Sequence, residues 1–247
     1  MSDFEGKTVL ITGAASGFGR ILAQNLALSG ANLVLGDVNI DGLTETAEGL
    51  GAAVKTLRCD VSNEAEVKAL CVLAEQQFGI LDIAVNNAGL SSPMKSLLET
   101  TEEDMDRNFA VNTKGVFFGM KHQIPLMMAS GGGAILNVAS VAGINGAPKL
   151  AAYAAAKHAV VGLTRTAAVE FARKNIRINA ICPFYSPTPL VTESEIAEKS
   201  ELLAAGSPMK RLGTPEEIVA TMLSILNPSN TYLTGQAIAV DGGVMAL

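Results

Sequence analysis

The sequence predicts an α/β fold in which a doubly wound parallel sheet carries helices on both faces. Two observations support this prediction. Apolar runs of strand length alternate with longer stretches of helical periodicity along the 247 residues, which is typical of βαβ units. The runs are continuously apolar rather than alternating, as expected for strands that are covered on both faces. We expect a single domain over 1–247, because one α/β domain of this length is ordinary.

The predicted strands are seven short apolar runs. In chain order they read "KTVLIT", "NLVLGD", "AVKTLRC", "LDIAVNN", "GAILNVAS", "IRINAIC" and "QAIAV". The periodic stretches between them predict helices at about 17–29, 63–78, 101–128, 151–174 and 214–227. Asn63 and Thr214 are good helix caps, and acidic residues follow both of them in the first turn. The segment 184–207 contains two prolines, Pro187 and Pro189, and no clear period, which predicts a mobile substrate lid.

The composition argues against several classes of function. A formal net charge of −6 gives no basic field for a nucleic acid or an anionic membrane. The three cysteines, Cys59, Cys71 and Cys182, lie far apart without CxxC spacing, which suggests free thiols in a reducing compartment. The first residues do not resemble a secretory signal, and no apolar run is long enough to span a membrane. We therefore expect a cytoplasmic protein without nucleic-acid or membrane partners. No cluster has metal-ligand spacing, so no metal is expected.

A glycine-rich segment, "TGAASGFG", directly follows the first strand and opens the first helix. In this context Gly13 can form the tight turn, while Gly17 and Gly19 let the backbone approach a pyrophosphate at the helix N-terminus. The alternative is that the glycines only mark a strand-to-helix turn. The position after a buried strand favours dinucleotide binding.

An aspartate, Asp37, ends the second predicted strand. A carboxylate there can accept hydrogen bonds from the ribose hydroxyls of NAD and would repel the 2′-phosphate of NADP. The next residue is Val38 rather than an arginine, and the glycine-rich segment contains no basic residue. The alternative is a solvated aspartate at a strand end. We predict NAD as the cofactor.

The segment "YAAAK" places Tyr153 and Lys157 four residues apart in a predicted helix, so both side chains share one face. A tyrosine acting as an acid and base near neutral pH needs its pKa lowered by about three units, or about 4 kcal/mol. A neighbouring cation favours the phenolate. This spacing alone could arise by chance. However, "NVAS", which contains Ser140, and "NNAG" both end strands at the edge where open α/β sheets bind ligands.

Together these segments resemble the short-chain dehydrogenases/reductases of about 250 residues. The resemblance covers nearly the whole chain, from "TGAASGFG" through "NNAG", "NFAVNTKG" and "YAAAK" to "TGQAIAVDGG". It implies a Rossmann-type sheet with strand order 3-2-1-4-5-6-7 and an NAD-dependent oxidoreductase that interconverts a small-molecule secondary alcohol and a ketone. It also implies a homotetramer, with the 151–174 helix and the apolar residues 244–247 as interfaces.

The resemblance also implies a role for each catalytic residue. Tyr153 would be the general acid/base, and Ser140 would hydrogen-bond the same substrate oxygen. Lys157 would lower the pKa of Tyr153 and bind the nicotinamide ribose. Asn112 would leave a backbone carbonyl free for a water that links Lys157 to solvent. The implied cofactor contacts are Gly13, Ser16, Phe18, Gly19, Asp37, Asp60, Val61, Asn87, Ala88, Gly89, Tyr153, Lys157, Pro183 and Thr188.

The sequence departs from the family where Pro183 is followed by Phe184 instead of glycine. This change either alters the local path of the chain or adds an aromatic wall to the substrate pocket. The residues expected to line that pocket are apolar, which suggests an apolar or cyclic substrate; they are Met94, Ile144, Phe184, Leu190 and Val191. An alternative activity is that of a 3-oxoacyl-carrier-protein reductase. An alternative of another class is a non-catalytic NAD-binding sensor, although the intact Ser140, Tyr153 and Lys157 argue against it.

Overall fold

The computed structural model describes residues 3–51, 53–194 and 197–246, which are built around one seven-stranded parallel sheet. The strand order is β3-β2-β1-β4-β5-β6-β7, as predicted. The strands are β1 (Thr8–Thr12), β2 (Asn32–Asp37), β3 (Val54–Arg58), β4 (Ile83–Asn86), β5 (Gly133–Val138), β6 (Ile176–Pro183) and β7 (Ala237–Val240). The order reverses between β1 and β4, and the carboxyl ends of these two strands border a crevice suited to a ligand.

The helices lie between the strands. They are α1 (Gly17–Leu28), α2 (Ile40–Ala47), α3 (Glu64–Phe78), α4 (Glu102–Asn108), α5 (Gly115–Ala129), α6 (Ala151–Phe171), α7 (Pro189–Thr192), α8 (Ser200–Gly206) and α9 (Pro215–Leu226). The helix predicted over 101–128 is present as α4 and α5, which a π-helical segment, Phe109–Lys114, joins into one continuous helical stretch. Helix α2 was missed, although Asn39 caps it by accepting a hydrogen bond from the backbone N–H of Gly42 at 3.0 Å.

Two apolar layers cover the central strands, one on each face of the sheet. Val9 and Ile11 of β1 point toward the layer formed with α1 and α9, whereas Leu10 points toward the layer formed with α3, α5 and α6. This arrangement explains the continuously apolar strand sequences. The prediction that every strand is covered was wrong for β3, where Lys55 and Arg58 are exposed. Among the described residues β3 pairs only with β2, so it forms one edge of the sheet.

The predicted lid, 184–207, contains more regular structure than expected. It carries α7 and α8 with a 3₁₀ turn, Ala197–Lys199, between them, while residues 195 and 196 lie outside the described part of the chain. The ammonium of Lys199 donates a hydrogen bond to the sulfur of Met94 at 3.1 Å, which ties this segment to the loop after β4. The mobility of the segment remains a prediction.

Candidate active site

A cavity of about 630 Å³ lies at the carboxyl edge of the sheet, over β1, β4, β5 and β6. Most of the predicted site residues line it. They are Gly13, Ser16, Phe18, Asp37, Asn87, Ala88, Gly89, Met94, Ser140, Tyr153, Lys157, Pro183, Phe184, Thr188, Leu190 and Val191. The cavity therefore brings together segments that are far apart in sequence.

The glycine-rich turn after β1 forms one end of the cavity. Gly13 has φ +67°, and a Cβ there would lie only 2.8 Å from the side-chain nitrogen of Asn87. That nitrogen donates hydrogen bonds to the carbonyls of Thr12 and Gly13 at 3.0 and 2.9 Å. The close approach requires glycine at position 13 and leaves a shallow concave surface of backbone.

Helix α1 points its N-terminus into this surface. Its cap residue, Ser16, makes no side-chain capping hydrogen bond, and the first turn contains no acidic residue. The first backbone N–H groups of a helix have no partner within the helix and carry a partial positive charge. This end of the cavity therefore fits a pyrophosphate group.

Asp37 lies at the outer end of the same region, and its carboxylate is held on both oxygens. The backbone N–H of Ala15 donates to Oδ2 and that of Asn39 donates to Oδ1, each at 3.0 Å. The nearby cation Arg20 is already engaged, because it donates to the carbonyl of Ala15 and forms an ion pair with Glu45 at 2.9 Å. Asp37 thus presents a fixed negative charge where an adenosine ribose would bind. Neither Arg20 nor this anchoring was apparent from the sequence.

Ser140, Tyr153 and Lys157 meet at the opposite end. Ser140 follows β5, and its Oγ accepts a hydrogen bond from the backbone N–H of Ala142 at 3.1 Å. Tyr153 and Lys157 lie on one face of α6, with the Lys157 Nζ 5.6 Å from the centroid of the tyrosine ring. Lys157 is only 4% exposed and donates to the carbonyl of Val138 at 2.8 Å. One acid/base group, one hydroxyl and one ammonium therefore share a small volume.

The pKa values of this group differ from the sequence expectation. Burial raises the pKa of Tyr153 to about 12, and a hydrogen bond with Ser140 offsets only part of this effect. Burial also lowers the pKa of Lys157 to about 8. In both groups burial disfavours the charged form. The expected lowering of the pKa of Tyr153 is absent from the cofactor-free protein.

Asn112 lies beneath the cavity rather than in its wall. It is fully buried in the π-helical segment, where its Oδ1 accepts from the backbone N–H of Leu90 at 3.0 Å and its Nδ2 donates to the Leu90 carbonyl at 3.1 Å. A Cβ at Gly89 would lie 2.8 Å from Asn112 Oδ1 and 3.4 Å from Lys157 Nζ. Asn112 therefore fixes the loop after β4 directly beside Lys157.

Four other residues predicted for the site do not line the cavity. Gly19 is buried inside α1. Asp60 accepts hydrogen bonds from the backbone N–H and hydroxyl of Ser62 at 2.9 and 2.7 Å, so its carboxylate is held in its own loop. Val61 packs against Gly115, where a Cβ would approach it to 2.8 Å. Ile144 packs against the apolar layer of α3, α5 and α6, contrary to the expectation that it lines the substrate pocket.

Phe184 lines the cavity without distorting the chain. Its backbone N–H donates to the carbonyl of Val240 at 3.1 Å, so the pairing of β6 with β7 continues past Pro183. The positive φ values of non-glycine residues in the described chain occur elsewhere, so residue 184 does not need glycine. Tyr185 and Ser186 also line the cavity and were not selected from the sequence.

No group of three or more His, Cys, Asp or Glu side chains among the described residues is arranged to hold a metal ion. No helix in the described ranges combines the length and apolar character required to cross a membrane.

Comparisons with known proteins agree with this geometry. The family profile described as enoyl-(acyl carrier protein) reductase matches residues 13–245. The chain is similar to the cyclohexanol dehydrogenase of Acinetobacter sp. strain SE19, with 38% identity over 97% of this chain and 95% of that protein. It is also similar to a crystal structure of levodione reductase, with a TM-score of 0.94, 37% identity and coverage of 100% of this chain and 99% of the other.

Solved relatives also bear on the cofactor. One is the 3-ketoacyl-(acyl-carrier-protein) reductase from Brucella melitensis complexed with NADH, with 36% identity, a TM-score of 0.92 and coverage of 98% of this chain and 99% of the other. Another, with 31% identity, a TM-score of 0.92 and coverage of 98% and 100%, has NADP bound. A nicotinamide dinucleotide fits the glycine cradle and the open N-terminus of α1 described above. This chain belongs to the short-chain dehydrogenase/reductase family and is an oxidoreductase acting on hydroxyl and keto groups.

Proposed function

We propose that this protein uses NAD(H) to interconvert a secondary alcohol and a ketone on an apolar or cyclic substrate. The observation that carries the proposal is that one cavity joins a dinucleotide cradle, with Asp37 at its outer end, to the group formed by Ser140, Tyr153 and Lys157. The substrate side of the cavity includes Met94, Leu190 and other apolar side chains, which favours an apolar substrate.

The chain's own residues supply the proton chemistry and orient the reactants. The nicotinamide ring, when bound, donates or accepts the hydride. Ser140 Oγ accepts from the backbone N–H of Ala142, and its hydroxyl can donate its proton to the substrate oxygen when substrate binds. Tyr153 gives a proton to the same oxygen when a ketone is reduced and takes it back when an alcohol is oxidised. Lys157 places positive charge beside the phenol and can hydrogen-bond a ribose hydroxyl.

The preference for NAD over NADP rests on the fixed charge of Asp37. Two backbone N–H groups hold its carboxylate, so it cannot easily swing away from a 2′-phosphate. Arg20, the cation that could otherwise attract that phosphate, is paired with Glu45. Like charges in close proximity cost several kcal/mol, which is enough to discriminate between the two cofactors.

A panel of ketones with NADH, followed by loss of NADH absorbance, tests this function. Tyr153→Phe should lower turnover at least about a hundredfold, which is the usual scale for losing a general acid/base. Its affinity for NADH should change little. Tyr232→Phe is the matched control, because Tyr232 is fully exposed. NADH binding without turnover of any ketone or carrier-linked substrate would instead support the non-catalytic sensor.

A second candidate is a 3-oxoacyl-carrier-protein reductase, since the chain is 39% identical to a relative of that name and the solved 3-ketoacyl-(acyl-carrier-protein) reductase is complexed with NADH. The two candidates differ in the size and attachment of the substrate. A 3-oxoacyl thioester on a carrier protein should be reduced much faster than small cyclic ketones if the second candidate is correct. The opposite order supports the first.

We further propose a cytoplasmic homotetramer. Helix α6 carries Val169, whose side chain is 82% exposed in the single chain, and an apolar side chain there would favour burial against another copy. At the chain end, Val244 and Met245 are half-buried, whereas Leu247 lies outside the described residues. These features support the predicted interfaces.

A further inference from the structure

Tyr185 is a second phenol in the cavity that contains Tyr153. It lines the cavity directly after Phe184 and is partly exposed there. Its hydroxyl forms no hydrogen bond with any of the described residues, 3–51, 53–194 and 197–246. Burial is the only cause that raises its pKa, which agrees with a phenol that has no polar partner in the protein. A ligand in the cavity can supply that partner.

The ring of Tyr185 is held in place by its neighbours. Phe184 contacts it edge-on, with ring centroids 4.9 Å apart and an interplanar angle of 76°. The backbone of Phe184 is fixed by its hydrogen bond to Val240 at 3.1 Å, and the carbonyl of Ser186 accepts from the backbone N–H of Thr188 at 2.7 Å. A hydroxyl on a fixed ring loses little conformational entropy when it binds a ligand, which favours its use in recognition.

The two phenols are close enough to influence each other. Charge on Tyr185 would raise the pKa of Tyr153. Ser186 also lines the cavity and is 2% exposed, and its hydroxyl has no hydrogen-bond partner among the described residues. Buried polar groups normally have partners. Two consecutive side chains beside the reaction centre therefore have unused hydrogen-bonding capacity in a cavity whose substrate side is otherwise mainly apolar.

We infer that Tyr185 determines substrate specificity by hydrogen-bonding a second oxygen atom of the substrate, the first being the one that Tyr153 and Ser140 bind. The substrate class is then a ring or short chain with two oxygen functions, such as a diketone, a hydroxyketone or a diol. This inference rests on the proposed function, which it narrows from apolar ketones in general. Ser186 can support the same contact after rotation of its side chain.

Comparing cyclohexanone with 1,4-cyclohexanedione as substrates, with NADH, tests the inference. The two rings have the same size and differ by one carbonyl oxygen. The parent enzyme should show a higher kcat/KM for the diketone. Tyr185→Phe keeps the ring that Phe184 contacts and removes only the hydroxyl. This variant should reduce the ratio of kcat/KM for the diketone to kcat/KM for cyclohexanone about tenfold, which is the scale of one neutral hydrogen bond.

The effect of Tyr185→Phe should appear mainly as a higher KM for the diketone, while kcat/KM for cyclohexanone and the affinity for NADH remain nearly unchanged. Tyr232→Phe, on the exposed surface, should leave all values as they are. An equal effect of Tyr185→Phe on both ketones, or no effect on either, would overturn the inference. Turnover of cyclohexanone without preference for the diketone would overturn this inference alone. If the parent reduced neither ketone, the small-ketone proposal would fail, and this inference would fail with it.

Discussion

Binding of oxidised dinucleotide should lower the pKa of Tyr153 far below its value in the free protein. Burial holds that pKa at about 12 without cofactor. For the phenolate to act as a base at mildly alkaline pH, the pKa must fall by about four units, or about 5 kcal/mol. Neither the phenol nor its hydrogen bond with Ser140 provides this energy, so it must come from positive charge.

Two cations can supply it. Lys157 Nζ lies 5.6 Å from the ring centroid of Tyr153. At an effective dielectric constant of about 20, a charge at that distance contributes about 3 kcal/mol. This contribution disappears in the free protein above the pKa of Lys157, which is about 8. The positive charge of the oxidised nicotinamide, and a hydrogen bond from the Lys157 ammonium to a ribose hydroxyl, would therefore provide the rest, about 2 kcal/mol by difference.

Tyrosine absorbance can measure this shift directly, because the chain has three tyrosines and no tryptophan. The near-ultraviolet phenolate signal would be recorded against pH with and without saturating NAD, and the signal of Tyr153→Phe would be subtracted. We expect the Tyr153 signal to appear about four units lower when NAD is present. An unchanged midpoint, together with rapid alcohol oxidation at mildly alkaline pH, would refute the proposal that Tyr153 is the base.

Three other predictions follow from the structure. Asp37→Ala should lower the ratio of kcat/KM for NAD to kcat/KM for NADP by at least about tenfold. The control Asp41→Ala, on the exposed side of α2, should leave this ratio unchanged. Equal ratios in the two variants would contradict the cofactor proposal. Lys157→Met should not lower the melting temperature of the cofactor-free protein at about pH 7. Burial of the ammonium opposes folding below about pH 8, and this cost disappears as the pH rises from about 8 to 10.5. The melting temperature of Lys157→Met, relative to that of the exposed control Lys174→Met, should therefore fall over that pH range. A constant difference between the two variants would argue against a buried ammonium. Light scattering should give a tetramer, and Val169→Glu should weaken it; a monomeric parent at micromolar concentration would exclude that assembly.

Local spacing and position on strands predicted much of the site. Tyr153 and Lys157 share a face of α6 because the i, i+4 relationship holds in any helix. Asp37 and Ser140 reach the cavity because both follow parallel strands whose carboxyl ends meet at one edge of the sheet. These inferences depend only on secondary structure, so they did not require knowledge of how the loops fold.

The positions that the sequence did not determine depend on loop contacts. Asp60 was expected beside adenine; Ser62, two residues later, donates to one of its carboxylate oxygens, and the adenine contact stays a prediction. Ile144 was expected in the pocket, but the turn after Ser140 directs it to the apolar layer. Tyr185 escaped notice because nothing in the local pattern shows which way a side chain points when a strand continues into a loop. In each case a contact made in three dimensions decides the outcome.

A buried polar network explains how the strand ends keep the catalytic groups aligned. The Asn86 Nδ2 donates to Gln123 at 3.1 Å and to Asn137 at 2.9 Å, and the Asn137 Nδ2 donates to Thr164 at 2.9 Å. All four side chains are buried, and these bonds connect β4 and β5 to α5 and α6. Apolar contacts tolerate small shifts of a helix along a sheet, whereas a shift here would leave a buried amide unpaired at a cost of about 1–3 kcal/mol. Asn137 directly precedes the carbonyl that binds Lys157, so the network fixes the position of α6, and with it Tyr153, relative to the strand end that carries Ser140.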